Sequence, residues 1–226
     1  MFSEVAQALE KVIALVAPHR CVKCGATGEL LCGACLDELK IASRPACFAC
    51  NKFSAFGRTC PTCRRKFALD GVTVGTYYDE PVREFIARVK YERSGSQIKL
   101  GTKLITAKLY EEDFDLVTWV PAAPTRARQR GYNQAELLAK SLARELRLPC
   151  ARLLYRFNIG SQVGQSRTSR LKRVRNQFYS SQKELKGKRV LIVDDVLTTG
   201  ATLGECAREL KKAGAKNVWG ATLAKH

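Results

Sequence analysis

Eight of the ten cysteines fall in four C-x-x-C pairs, Cys21/Cys24, Cys32/Cys35, Cys47/Cys50 and Cys60/Cys63, confined to one stretch of 43 residues. Each pair lets a single chain reversal present two thiolates to one tetrahedral ion, so four pairs supply the eight ligands of two structural Zn²⁺ sites. Sequential pairing puts Cys21, Cys24, Cys32 and Cys35 on one ion and Cys47, Cys50, Cys60 and Cys63 on the other; interleaved pairing also satisfies the spacing. The N-terminus carries Glu4, Glu10 and Lys11 where a secretory signal would have a basic region and a cleavage site. A cytoplasmic protein is therefore expected, in a compartment that opposes four disulfides. Cys150 and Cys206 lie outside the block and read as ordinary buried thiols.

A second concentration of chemistry is the string Val190-Leu-Ile-Val-Asp194-Asp195-Val-Leu-Thr198-Thr199-Gly200-Ala201-Thr202-Leu. Four apolar residues predict a buried strand whose carboxyl end delivers two acids, followed by a small-residue loop that opens into a helix. In a parallel sheet that strand end is where ligands bind, and loop amides at a helix N-terminus suit a phosphate dianion. Two adjacent carboxylates repel that same phosphate. They must face hydrogen-bond donors such as ribose hydroxyls, or a divalent cation. No GxxxxGK[ST] and no GxGxxG element is present, which removes support for nucleotide hydrolysis and dinucleotide binding.

These residues need a scaffold, and 226 residues with 46% hydrophobic content suffice for one α/β core plus a small module. Val5, Leu9, Val12, Ile13 and Val16 recur at helical spacing and predict an amphipathic helix ending near Pro18. Beyond Cys63 the pattern predicts a strand from Gly71 to Tyr78, helices near 81–92 and 98–112, and a strand from Asp115 to Pro121. It continues with a helix from Asn133 to Arg147 and strands at Ala151–Tyr155 and Gly187–Asp194. A helix from Thr202 to Ala213 and a strand from Asn217 to Leu223 follow. The alternation predicts a mostly parallel sheet with helices on both faces. The expected division is an N-terminal helix over 1–20, a four-cysteine-type double ribbon over 21–66 and the α/β domain over 67–226. No uncharged apolar run reaches the roughly 18 residues of a membrane span, so membrane insertion is not expected.

Charge is uneven. The net charge is +18, and residues 121–189 hold 17 basic and three acidic side chains. Between Phe157 and Gln182 there is no acid, while Arg167, Arg170, Lys172, Arg173 and Arg175 cluster there. A flap over one diphosphate needs one or two cations, so the surplus points to a longer polyanion, and Tyr132, Phe157, Phe178 and Tyr179 could stack on bases. Arg126, Arg128 and Arg130 follow a predicted strand end and suit a diphosphate. The two histidines, His19 and His226, lie in segments read as peripheral, so no general base is expected.

The string VLIVDDVLTTGAT resembles the phosphoribosyl-pyrophosphate (PRPP) loop of type I phosphoribosyltransferases. With the segment from Arg130 to Ala139 (RGYNQAELLA), the acid-free stretch carrying Arg173 and Asn176, and the four C-x-x-C pairs, the chain is similar to the ComF family of competence-associated proteins. Where that family reads P-V-P-L-H, Pro121 to Thr125 keep the loop position without its side chains. The resemblance implies a type I phosphoribosyltransferase-like domain preceded by a double zinc ribbon. It implies that Asp194 and Asp195 hold the ribose hydroxyls, that Thr198, Thr199, Gly200, Ala201 and Thr202 hold the 5′-phosphate, and that residues 121–131 hold the diphosphate with Mg²⁺. It further implies a role in the uptake of single-stranded DNA, with PRPP, single-stranded DNA and other competence or DNA-processing proteins as partners. The alternative is an active transferase that moves ribose 5-phosphate from PRPP to a nitrogen acceptor; any hood for the acceptor is then expected from residues 65–112 or the cysteine module.

Overall fold

The computed structural model describes residues 20–38, 45–78, 80–92, 95–109, 113–123, 128, 131–157, 177–180 and 185–226. The expected N-terminal helix lies outside these residues. Four strands, β1 (Gly71–Tyr77), β2 (Leu116–Trp119), β5 (Arg189–Leu197) and β6 (Asn217–Lys225), form a sheet in the order β1-β6-β5-β2. All three pairings are parallel. Val190 to Val193 are buried on both faces, which is why the centre of the sheet reads as an unbroken aliphatic run without alternation.

Each face has its own core. On one, Val117, Leu191, Val193 and Trp219 pack with Phe85 and Ile86 of α1 (Glu80–Glu92), Ile98 and Ile105 of α2 (Gly95–Thr106), and Leu138 and Leu142 of α3 (Gln134–Leu146). On the other, Val190, Ile192 and Val218 meet Leu203, Cys206, Ala207 and Leu210 of α4 (Ala201–Lys212). Asn133 caps α3 by accepting from the Ala135 N–H at 3.1 Å, and Arg147 ends it in the left-handed conformation. The Asn133 amide also donates to the Val120 carbonyl at 2.9 Å, tying the two ends of the 121–131 loop together.

Two strand expectations change. The segment near 151–155 forms β3 only over Leu154–Arg156, and it pairs antiparallel with an unanticipated β4 (Phe178–Ser180) in a separate ribbon. The cause lies just before it, where Cys150 makes a single bridge to Val117 and the chain then leaves the main sheet. The other change concerns the acids. β5 runs on to Leu197, past the expected end at Asp194, so Asp195 also lies within the strand. β6 continues beside them, with Asp194 opposite Thr222 and Val196 opposite Ala224, whereas β2 stops at Trp119 opposite Val193. One ladder keeps their backbone bonded while the other edge opens.

Among the described residues, the cysteine-rich segment packs its apolar side chains into the two cores of the sheet. Leu30, Leu31 and Cys35 are buried in the cluster of α1 to α3, and Phe48 in that of α4.

Candidate functional site

The cysteines form two tetrads, Cys21/Cys24/Cys32/Cys35 and Cys47/Cys50/Cys60/Cys63, with the sulfurs of each within 4.8 Å of one another. The sequential pairing is therefore the one the structure brings together. Both are built alike. The Gly25 N–H donates to the Cys21 carbonyl and the Asn51 N–H to the Cys47 carbonyl, and both residues adopt positive φ, which closes each first knuckle. Cys32 and Cys60 stand at the N-termini of the short helical turns Gly33–Asp37 and Pro61–Arg64. A tetrahedral ion with metal–sulfur bonds of about 2.3 Å separates its ligands by about 3.8 Å. The Cys24 and Cys32 sulfurs are 3.7 Å apart, as are those of Cys50 and Cys60.

Protonation also fits a metal. Burial opposes ionisation of Cys21 and Cys47, but backbone N–H groups aimed at their sulfurs outweigh it and hold both thiols down at about 6. Burial, then hydrogen bonds to the neighbouring sulfurs and the charge of that first thiolate, pushes Cys35 and Cys63 up to about 12. Four sulfurs so close become four thiolates only when a cation shares their charge, which is what a thiophilic divalent ion such as Zn²⁺ supplies. Of the two cysteines outside the tetrads, Cys206 is fully buried and its thiol is pushed well up by burial. Cys150 is only half-buried, because it sits where the chain leaves the sheet edge.

The acid pair lines a cavity of about 460 Å³ at the open edge left by β2. Its walls are Asp194, Asp195 and Thr198 on one side and Val120 to Ala123 with Tyr132 to Ala135 on the other. Each carboxylate is oriented by the chain itself: Asp194 accepts from the Asp195 N–H at 2.9 Å and Asp195 from the Val196 N–H at 2.8 Å. Asp194 also lines a smaller concavity with Thr198, Gly200, Ala201 and Thr202. Gly200 has φ 72° and precedes the first residue of α4 without a side chain to cap it, and the Thr199 hydroxyl accepts from the Ala201 N–H at 3.4 Å, so the N-terminus of α4 opens at the concavity that Ala201 and Thr202 line. Carboxylates, hydroxyls and a helix N-terminus thus meet within one short segment. They can accept hydrogen bonds from a polyol at one point and donate them to an anion at the next.

Other residues around the cavity carried little signal in the chain. Arg156 on β3 lines it, donates to the Gln177 amide oxygen at 2.7 Å and lies over the Phe178 ring. His226, read as peripheral, lines the same cavity and stacks on Tyr78 with ring centroids 5.4 Å apart. Parallel β1 and β6 end side by side there, which only the sheet order could reveal. Of the loop arginines, Arg128 is exposed, while Arg126 and Arg130 lie outside the described residues, as do Arg167, Arg170, Lys172, Arg173 and Arg175.

The aromatic set divides. Phe178 is buried at 3% exposure and is not available for stacking, because alternation along β4 turns it into the core. Tyr179 faces out, stacked on Tyr155 at 5.4 Å and against Phe157 at 4.6 Å. The Arg152 guanidinium lies 4.3 Å over Tyr155. Tyr132 is half-buried at the cavity wall.

Comparison with known proteins agrees with this layout. Residues 133–226 match the phosphoribosyl transferase domain, a span that runs from α3 to β6 and contains both acids and the threonine loop. Over 220 residues the chain is 28% identical to competence protein F of Haemophilus influenzae, covering 89% of this chain and 95% of that protein. It is 27% identical over 198 residues to competence protein ComFC of Bacillus subtilis, covering 82% and 80%. It is 24% identical over 213 residues to the DNA utilization protein YhgH of Escherichia coli O6:H1, covering 83% and 93%. Among the described residues no helix is long and apolar enough to cross a membrane.

Proposed function

From a chain that is a relative of the competence F and ComFC proteins and carries a phosphoribosyl transferase domain, we infer a PRPP-binding protein that handles single-stranded DNA in the cytoplasm during DNA uptake. The supporting observation is that one cavity is bounded by the acid pair, the threonine loop and the strand end that begins the 121–131 loop.

In this reading Asp194 and Asp195 accept hydrogen bonds from the ribose hydroxyls. Thr198 to Thr202 and the first amides of α4 donate to the 5′-phosphate. Arg126, Arg128 and Arg130 neutralise the diphosphate, and Asn133 fixes the span of their loop through Val120. Mg²⁺, arriving with PRPP, supplies further neutralisation of the diphosphate, and the half-exposed carboxylates of the cavity fit that chemistry. The two tetrads hold Zn²⁺ over residues 21–66, and residues 67–226 make the binding body.

Single-stranded DNA is assigned to the β3–β4 ribbon and the basic segment that joins its strands. Tyr155, Phe157 and Tyr179 offer a continuous outward stack, at the point where the chain departs toward Arg167, Arg170, Lys172, Arg173 and Arg175. Stacking on such rings is worth about 1–3 kcal/mol per base and tolerates any sequence.

The alternative, turnover with a nitrogen acceptor, draws support from the Tyr78–His226 ring pair at the cavity, which offers a planar wall beside the acids. Calorimetric titration with PRPP and Mg²⁺, followed by a pyrophosphate-release screen against bases and nucleic acids, tests both readings. Saturable PRPP binding without release favours a sensor or clamp, release favours the transferase, and no binding removes both.

A further inference from the structure

Phe48 stands between the ligands of the first knuckle of the second tetrad, in Cys47-Phe48-Ala49-Cys50. Its side chain is 6% exposed and packs with Leu197 and Leu203, on either side of the threonine loop. A Cβ placed on Gly200 would lie 2.5 Å from Phe48 Cε2 and 2.9 Å from Cδ2, so the ring bears directly on the loop backbone. The other knuckle contributes a parallel contact. Phe67, whose N–H donates to the Cys63 carbonyl, meets Phe48 edge-on at 5.1 Å, and its ring carbon lies 3.3 Å from a Cβ placed on Gly204. Gly200 and Gly204 are one turn apart at the start of α4, joined by a 2.8 Å bond from the Gly204 N–H to the Gly200 carbonyl. Two rings, one from each knuckle, thus support the two glycines of that turn. The first tetrad makes no such contact among the described residues; Cys21 and Cys35 belong to the core on the opposite face of the sheet.

We propose that the second tetrad is the floor of the phosphate loop, with Phe48 as its positioning residue, so that metal occupancy there and anion binding at the loop strengthen each other. The proposal rests on the reading of Thr198 to Thr202 as a phosphate site. Loss of the ion frees the two knuckles to separate. Phe48 and Phe67 then no longer hold the left-handed turn at Gly200 from below, and the amides of α4 lose their fixed direction. Reciprocity follows from linkage: whatever factor the metal contributes to anion affinity, the anion returns to metal affinity. The first tetrad, on the other face, is an internal control.

The test uses the full chain with Cys50→Ser and Cys24→Ser, which remove exposed ligands from the second and first tetrad respectively. Zinc content, hydrogen exchange over residues 198–204 and calorimetric binding of ribose 5-phosphate are read for each. Each variant should lose one zinc. Only Cys50→Ser should accelerate exchange in the loop and weaken ribose 5-phosphate binding, by about tenfold, with Cys24→Ser within twofold of the parent. Phe48→Leu, which leaves all eight ligands in place, should keep both zinc ions and still weaken binding. Equal effects of the two serine variants, or Phe48→Leu binding like the parent, would overturn the coupling. Should the parent protein take no ribose 5-phosphate, the phosphate reading fails and the coupling with it, while the exchange contrast between Cys50→Ser and Cys24→Ser still decides whether the second tetrad holds the loop.

Discussion

Gly200→Ala is a one-carbon change whose cost divides into two physically distinct parts. The first is conformational. At φ 72° an L-residue sits in the left-handed region, at a cost of about 1–2 kcal/mol. The second is steric. The new Cβ would stand 2.5 Å from Phe48 Cε2, and carbon atoms need about 3.5–4.0 Å, so the ring must retreat by about 1 Å or more. It cannot do so freely, because Phe67 closes on it edge-on at 5.1 Å and only 6% of Phe48 is exposed. Overpacking of this kind costs about 1–3 kcal/mol. The sum is about 2–5 kcal/mol, divided between folding stability and the affinity of the loop for an anion. Denaturant unfolding and ribose 5-phosphate titration should be run on Gly200→Ala, Phe48→Ala and the double variant. Removing the ring relieves the steric part and leaves the conformational part, so the double variant should be less destabilised than the sum of the singles by about 1–3 kcal/mol. Additivity within about 0.5 kcal/mol would mean that Phe48 does not support the loop, whatever the interatomic distance.

Metal analysis of protein purified without chelator should find two zinc ions per chain; one would remove a tetrad from the account and none would remove both. Asn133→Ala removes both the cap of α3 and the tie to Val120, and should lower stability by about 1–2 kcal/mol in thermal unfolding while weakening PRPP binding. Single-stranded DNA binding should weaken with salt at about −0.7 in log K per phosphate contact, so about four to six contacts give a slope of roughly −3 to −4. Serine at Arg167, Arg170, Lys172, Arg173 and Arg175 should flatten that slope, and Tyr179→Ala should lower affinity without changing it; a filter-binding salt series reads both, and an unaffected slope would sink the role of this segment.

What was legible in the chain was the part that depends on neighbours in sequence. Val190 to Val193 announce a central parallel strand because both its faces are buried, and Asn133 marks a helix start because its side chain caps locally. The C-x-x-C spacing names the sulfurs of each knuckle because a knuckle closes within five residues, as the Gly25-to-Cys21 bond does. The end of that central strand was expected at Asp194 and lies at Leu197, since polarity shows where a strand loses burial and not where its ladder ends. That ending depends on how far β6 runs beside it. Arg156 and His226 reach the cavity by tertiary routes, one along a ribbon that leaves the main sheet and one through the adjacency of β1 and β6. Phe48 looked like filler between two ligands, and its contact with Gly200 joins positions 152 apart in the chain, beyond any local pattern.

The measurement closest to the central claim is a calorimetric titration of PRPP with Mg²⁺ into the parent protein and into the Asp194→Asn/Asp195→Asn variant. Asparagine keeps the oxygen that accepts from the next N–H, at 2.9 and 2.8 Å here, so the variant should fold. Each lost bond to a charged acceptor is worth about 1.5–3 kcal/mol, so affinity should fall by at least about a hundredfold. A saturable single-site isotherm for the parent, abolished in a folded variant, is the expected result; a folded variant that binds PRPP as tightly as the parent contradicts the assignment of the acid pair.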